Sequence, residues 1–204
     1  MNLLDIIFPK FCFECGISGK YMCNNCVTKV LGGTFDKNNF AVFKYKGVIR
    51  KAIVSLKYKF ATDIADELVG ICIQRLNSSK FHNVVLVPVP LYKQRENWRG
   101  FNQSELLGQK LAEKMNWKFV PDLLIRTKNT HPQVNLKGGE RRKNLSEVFS
   151  VRSPYIQHTK RLHHSVGNIL IFDDVYTTGS TINEAKKVLK KAGFKNIYSL
   201  TIAR

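Results

Sequence analysis

No stretch of the chain approaches the roughly 20 consecutive apolar residues that a membrane-crossing helix needs. The opening MNLLDIIFPK carries an early Asp5 and no basic segment ahead of its apolar residues, so it does not read as a secretory signal. The expectation is a cytoplasmic protein. Acidic residues are scarce: 15 Asp and Glu stand against 33 Lys and Arg in 204 residues, a formal charge of +18. A surface with that balance draws polyanions and anionic lipid at long range, although a generally lysine-rich background gives the same count. Internal repeats and low-complexity tracts are absent, which excludes solenoids and disordered linkers. Cysteine is nearly absent after residue 26, where only Cys72 remains. It lies in IADELVGICIQRL, whose helical periodicity makes it a small buried hydrophobe.

What is present begins with the other four cysteines. Cys12 and Cys15 form one C-x-x-C pair, Cys23 and Cys26 a second, and seven residues separate the pairs. Each pair can set two thiolates on one ion through a tight turn, and two pairs complete the tetrahedral four-thiolate set that Zn(II) prefers. Two disulfides are the alternative, which a cytoplasmic chain disfavours. With all four positions filled by thiolates, the site reads as structural. A Gly/Asn-rich connector, Gly32 to Asn39, follows, dividing the chain into a small module (1–38) and a main domain (39–204).

The main domain alternates strand and helix patterns, which predicts an α/β fold with a parallel sheet flanked by helices. FAVFKY reads as a strand and VIRKAIVSLKY as a helix. VVLVPV is a continuous apolar run of the kind a doubly covered parallel strand shows. A loop is expected from Leu91 to Gly100, a helix from Asn102 or Ser104 to about Met115, strand-like chain from Lys118 to Leu124, and a final strand in NIYSLTIAR. The adjacent His163 and His164 read as solvated loop.

The densest chemistry lies in NILIFDDVYTTGSTIN. Ile169 to Phe172 run into two carboxylates, Asp173 and Asp174. The polar loop Thr177-Thr178-Gly179-Ser180-Thr181 then opens a helix. Hydroxyls, a glycine and backbone N–H groups at a helix start make a phosphate cradle, and the acid pair can accept hydrogen bonds from sugar hydroxyls. An ordinary βα turn with a Thr/Ser cap is the plain alternative. Basic side chains cluster between Lys44 and Lys59, where Lys44, Lys46, Arg50, Lys51, Lys57 and Lys59 occur without an acid, interleaved with Phe43, Tyr45, Tyr58 and Phe60. Cations beside aromatic faces suit single-stranded nucleic acid; the same aromatics fit equally well as core positions. Arg141, Arg142 and Lys143 make a second basic cluster.

The segment from Asn168 to Asn183 resembles the phosphoribosyl-diphosphate (PRPP) signature of type I phosphoribosyltransferases, with Tyr176 where an aliphatic residue is more common. Three further blocks, SLKYKF, PVPLYKQRENWRGFNQSELL and Thr130-x-x-Gln133-x-x-Leu136 followed by Glu140-Arg141-Arg142-x-Asn144 and Phe149, stand in order with the paired cysteines. Together they resemble the ComF family of competence proteins over nearly the whole chain.

That resemblance implies a zinc finger before a type I phosphoribosyltransferase-like domain, and a part in natural transformation, bringing incoming single-stranded DNA into the cytoplasm. It implies that Asp173 and Asp174 meet the ribose hydroxyls of PRPP, directly or through Mg(II), and that Thr177, Thr178, Gly179, Ser180 and Thr181 hold the 5′-phosphate. The turn at Pro88 and Val89 would receive the diphosphate, with Arg95 and Arg99 neutralising it and Lys57 assisting. A DNA translocation helicase or an inner-membrane channel component would be the protein partner, at the cytoplasmic face of that membrane. Catalysis is a separate matter: no segment supplies an acceptor hood, and no carboxylate or histidine stands out as a general base. A DNA-handling binding protein, an active transferase on a nucleobase or amine, and an adaptor docking through the zinc finger are therefore distinct expectations.

Overall fold

The structure is a computed structural model that describes residues 9–33, 36, 38–58, 62–76, 81–128, 148–153 and 167–204, excepting the side chains at 57, 58 and 62. Lys59, Arg141, Arg142, Lys143, the pair His163 and His164, and the block from Thr130 to Asn144 lie outside the described residues, as does the side chain of Lys57.

Five parallel strands form the main sheet: β1 (Asn39–Phe43), β2 (Val84–Pro88), β3 (Lys118–Phe119), β6 (Asn168–Val175) and β7 (Ile197–Ala203), in the order β1-β7-β6-β2-β3. The register runs Val84 to Pro88 against Asn168 to Phe172, and Ile169 to Val175 against Ile197 to Ala203. Every residue of β2 is buried, as its unbroken apolar run predicts for a strand covered on both faces. Successive side chains alternate faces, so Leu86, Leu170, Phe172 and Leu200 enter one apolar cluster while Val85, Val87, Ile169 and Ile171 enter the other.

The first cluster is covered by α2 (Gly47–Tyr58), α3 (Thr62–Ile73) and α5 (Gln103–Met115). Helix α5 starts where Asn102 caps it, its side chain accepting from the Ser104 backbone N–H at 3.1 Å. It approaches the sheet closely because Gly108 has no side chain: a Cβ there would stand 3.0 Å from Leu86 Cδ2 and 3.3 Å from Phe172 Cδ1. The second cluster is covered by α6 (Ser180–Lys191) and by an antiparallel pair, β4 (Leu124–Arg126) with β5 (Phe149–Val151).

Two expectations change. The segment from Leu91 to Gly100 is not loop throughout: Lys93–Arg99 is a short helix, α4, closed by Gly100 at φ +80 with its N–H on the Glu96 carbonyl at 2.7 Å. None of its residues is buried, so it lacks the apolar periodicity that marks a helix in sequence. The stretch from Lys118 to Leu124 is two strands, β3 and β4, with Pro121 between them in a turn; proline has no N–H to continue the ladder.

The cysteine module, with its short helix α1 (Asn24–Thr28), packs into the main domain. Cys12, Met22, Cys26, Val27 and Val30 belong to the first apolar cluster, and Met22 is fully buried. Burying one such side chain contributes about 1.5–3 kcal/mol. Glu67 of α3 accepts from the backbone N–H groups of Tyr21 and Met22 at 3.1 and 2.6 Å, and ion pairs Lys10–Asp63 (3.0 Å) and Lys51–Glu14 (2.8 Å) join the same two parts. The connector is tied down as well: Lys186 of α6 donates to the Asn38 carbonyl at 2.9 Å and to Asn39 Oδ1 at 2.7 Å.

Candidate functional site

In a parallel sheet, loops leaving the carboxyl ends of the strands gather along one edge. Strand β6 is central and reaches that edge at Asp173 and Asp174. Beside it β2 ends at Pro88, paired with Phe172, and the next amide, Val89, donates to the Phe172 carbonyl at 2.8 Å. The acid pair and the Pro88–Val89 turn are thus neighbours, one strand spacing apart (about 4.8 Å).

Helix α5 fixes the acid pair. Ser104 Oγ donates to Asp173 Oδ1 at 2.7 Å, and the same oxygen accepts the Asp174 backbone N–H at 2.9 Å. The cap residue Asn102 donates from Nδ2 to the Val89 carbonyl at 3.0 Å, joining the start of α5 to the end of β2. Arg99 donates to Gln103 Oε1 at 3.0 Å, on the residue before Ser104. Arg99 is therefore held at the α4–α5 joint.

The polar loop enters α6 through Gly179, at φ +74, with Thr177 and Thr178 exposed. Thr178 Oγ1 and Ser180 Oγ lie 2.7 Å apart. The first-turn N–H groups of α6 have no acceptor within the helix, the condition for an anion site. A Cβ at residue 179 would run into the ring and hydroxyl of Tyr176. Tyr176 itself is held from behind, its backbone N–H on the Ala203 carbonyl at 2.8 Å and the Arg204 guanidinium 5.1 Å from its ring centre. The unusual tyrosine thus packs under the glycine that turns the loop.

Sequence reasoning missed Arg126, which ends β4. It sits 5.6 Å from the Phe149 ring centre. Burial holds its pKa below the usual guanidinium range, the charge of Arg95 adds to that, and Asp173 opposes it. Arg126 therefore shares one electrostatic neighbourhood with Arg95 and the acid pair. Only its place at the head of the R-T-K-x-T-x-x-Q stretch hinted at a role; spacing alone did not bring it to β6.

Basic side chains extend along the edge on both sides. Lys44 and Lys46 follow β1 and are exposed, two strands from β6. Lys93 and Arg95 follow β2. Arg50 and Lys51 are exposed on α2, with Lys51 on Glu14. Two of the interleaved aromatics take the core alternative: Phe43 is fully buried, and Tyr45 packs against the first cluster, while the Tyr58 side chain and Phe60 lie outside the described residues.

The four cysteine sulfurs all lie within 4.8 Å of one another, with Cys15 and Cys23 at 3.6 Å. Four thiolates at about 2.3 Å from a tetrahedral zinc stand about 3.8 Å apart, so the cluster can hold a metal ion such as zinc. The Cys12 N–H bonds the Ile17 carbonyl at 2.8 Å and Gly16 bonds back to Cys12 at 2.9 Å, shaping the first knuckle. Burial pushes the Cys12 thiol up, but backbone N–H groups of Cys15, Cys23 and Glu14 outweigh it and lower the pKa to about 6. Burial and the three neighbouring thiols push Cys26 up to about 12. One buried thiolate is favoured here and four are not, unless a cation shares the site.

No protein-family model matches the chain. Among curated proteins it is 29% identical to Competence protein F of Haemophilus influenzae, over 97% of this chain and 85% of that protein. It is 27% identical to Competence protein ComFC of Bacillus subtilis, over 90% of this chain and 72% of the relative. The DNA utilization protein YhgH of Salmonella typhimurium is 27% identical over 96% of this chain and 84% of its own length. Relatives at this identity over most of the chain support a ComF-type competence protein. Matches of this extent take in the cysteine module and the parallel sheet together, so the ComF resemblance rests on the whole architecture and not on the acid-pair turn alone. Among the described residues, no helix is long and apolar enough to cross a membrane.

Proposed function

We propose that the chain acts in DNA uptake, binding incoming single-stranded DNA in the cytoplasm along the basic carboxyl edge of its sheet, with the β6–α6 turn as a PRPP site at the centre of that edge. The observation that carries this reading is the juxtaposition: the acid pair and T-T-G-S-T turn are flanked by Lys44 and Lys46 on one side and by Lys93 and Arg95 on the other. The printed names of the relatives, competence and DNA utilization proteins, support the biological setting. In this reading Thr177, Thr178, Ser180 and Thr181 and the α6 amides cradle the 5′-phosphate. Asp173 and Asp174 meet the ribose hydroxyls, and Mg(II) arrives with the diphosphate beside Pro88, Val89, Arg95 and Arg126. Zinc at the four cysteines is structural. A translocation helicase or a component of the inner-membrane channel is the expected protein partner.

Four cations on the edge, three exposed and Arg95 half-buried, imply a salt dependence of binding with slope about −3, from roughly −0.7 per phosphate neutralised on a single strand. Fluorescence anisotropy of a labelled oligothymidine across a salt series measures it. A slope near zero, or no binding at low salt, refutes the single-strand reading. A second reading, catalytic phosphoribosyl transfer, is favoured by one observation: Arg126 is a partly buried cation within electrostatic reach of Asp173, and a leaving diphosphate needs such charge. Diphosphate release from PRPP, in the presence of a panel of nucleobases and amines, distinguishes it.

A further inference from the structure

Trp98 is 74% exposed, more than the other exposed large apolar side chains among the described residues, Phe11, Ile17 and Ile125. It stands on α4, a helix with no buried residue that is held at its C-terminal end by the Gly100 cap and by the Arg99–Gln103 bond at the joint with α5. Packing therefore does not explain the indole. Its neighbours on the helix are Lys93, Gln94, Arg95, Glu96, Asn97 and Arg99, all polar. A protein-docking patch would surround such an anchor with further apolar groups; here its helix carries no other apolar side chain and three cations, Lys93, Arg95 and Arg99.

Arg95 lies three residues before Trp98 and so on the same helical face, about one turn away. We infer that Trp98 is a stacking platform for a nucleobase of a single strand whose phosphates meet Arg95 and the neighbouring turn. A flat indole beside a guanidinium supplies the two contacts that sequence-tolerant single-strand binding needs, one for the base and one for the backbone. The inference rests on the single-strand reading above and adds to it the residue that holds a base.

The test uses the full chain and three probes: oligothymidine, an abasic oligonucleotide of equal length, and free thymidine monophosphate. In a Trp117→Phe variant Trp98 is the sole tryptophan, and its emission is expected to be quenched on adding oligothymidine. Trp98→Ala is expected to weaken oligothymidine binding roughly 5- to 150-fold, with Trp98→Phe recovering part of the loss. The abasic strand is expected to bind wild type and Trp98→Ala alike. Because α4 has no buried residue, the variant should keep the wild-type melting temperature. Equal oligothymidine affinity in wild type and Trp98→Ala, with no quenching, overturns the inference while leaving the single-strand reading intact, and points to a protein partner on α4. Failure of the wild type to bind any strand overturns both. Quenching by thymidine monophosphate as tight as by the strand overturns the strand and assigns Trp98 to a free nucleotide.

Discussion

Replacing Gly179 by alanine tests the loop geometry through two separable costs. The first is backbone: residue 179 sits at φ +74, where a side-chain-bearing residue costs about 1–2 kcal/mol. The second is steric, because the new Cβ meets the Tyr176 ring, which is backed by Arg204 and cannot withdraw without breaking that contact. For a chain of this size each kcal/mol lowers Tm by about 2–4 °C, so the backbone part alone predicts a fall of about 2–8 °C. In a Tyr176→Val background the steric part vanishes, and Gly179→Ala should cost only its backbone part. The difference between the two backgrounds, read by thermal unfolding as a double-mutant cycle, is expected to be on the order of 1 kcal/mol. PRPP binding, followed by calorimetry, should fall with Gly179→Ala because the first amides of α6 are displaced. Equal destabilisation in both backgrounds, together with unchanged PRPP binding, would refute the claim that Tyr176 and the left-handed glycine jointly shape the anion site.

Cys12→Ser with Cys15→Ser should release about one zinc per chain by elemental analysis and lower Tm, because Cys12 and Met22 share the main apolar cluster; unchanged metal content would rule out a four-thiolate site. Burial, partly offset by Asp36 and reinforced by Lys190, lowers the Lys186 pKa to about 8. The unfolded lysine titrates near 10.4, so between those values the unfolded state binds more protons and stability rises with pH. The stability of wild type relative to Lys186→Met should therefore increase from about pH 8 to pH 10.4, as followed by chemical denaturation; a flat difference across that window would show that Lys186 is not desolvated against Asn38 and Asn39.

The parts legible in the sequence were those with strong local signatures. Apolar runs marked β2 and β6 because a doubly covered strand has no polar face to show. The C-x-x-C pairs marked the metal cluster because thiolate chelation needs short spacing. The T-T-G-S-T turn marked the loop that enters α6 because it combines hydroxyls with a left-handed glycine. Helix α4 was read as loop because it has no buried face. Arg126 was missed because its electrostatic link to Asp173 depends on how the β4–β5 pair lies over the sheet, a long-range fact. The aromatics around Lys44 looked ambiguous because alternating aromatic and basic residues describe a half-buried strand as well as a base-stacking surface, and Phe43 and Tyr45 turned inward.

The central claim is that the acid pair and the turn after it hold PRPP. Calorimetry with Mg-PRPP on wild type and on Asp173→Asn with Asp174→Asn tests it most directly, since asparagine keeps an acceptor for Ser104 Oγ while removing the charge. The account predicts saturable binding by the wild type, and none by the double variant at an unchanged melting temperature. Undiminished binding by the variant, or no binding by the folded wild type, would contradict it.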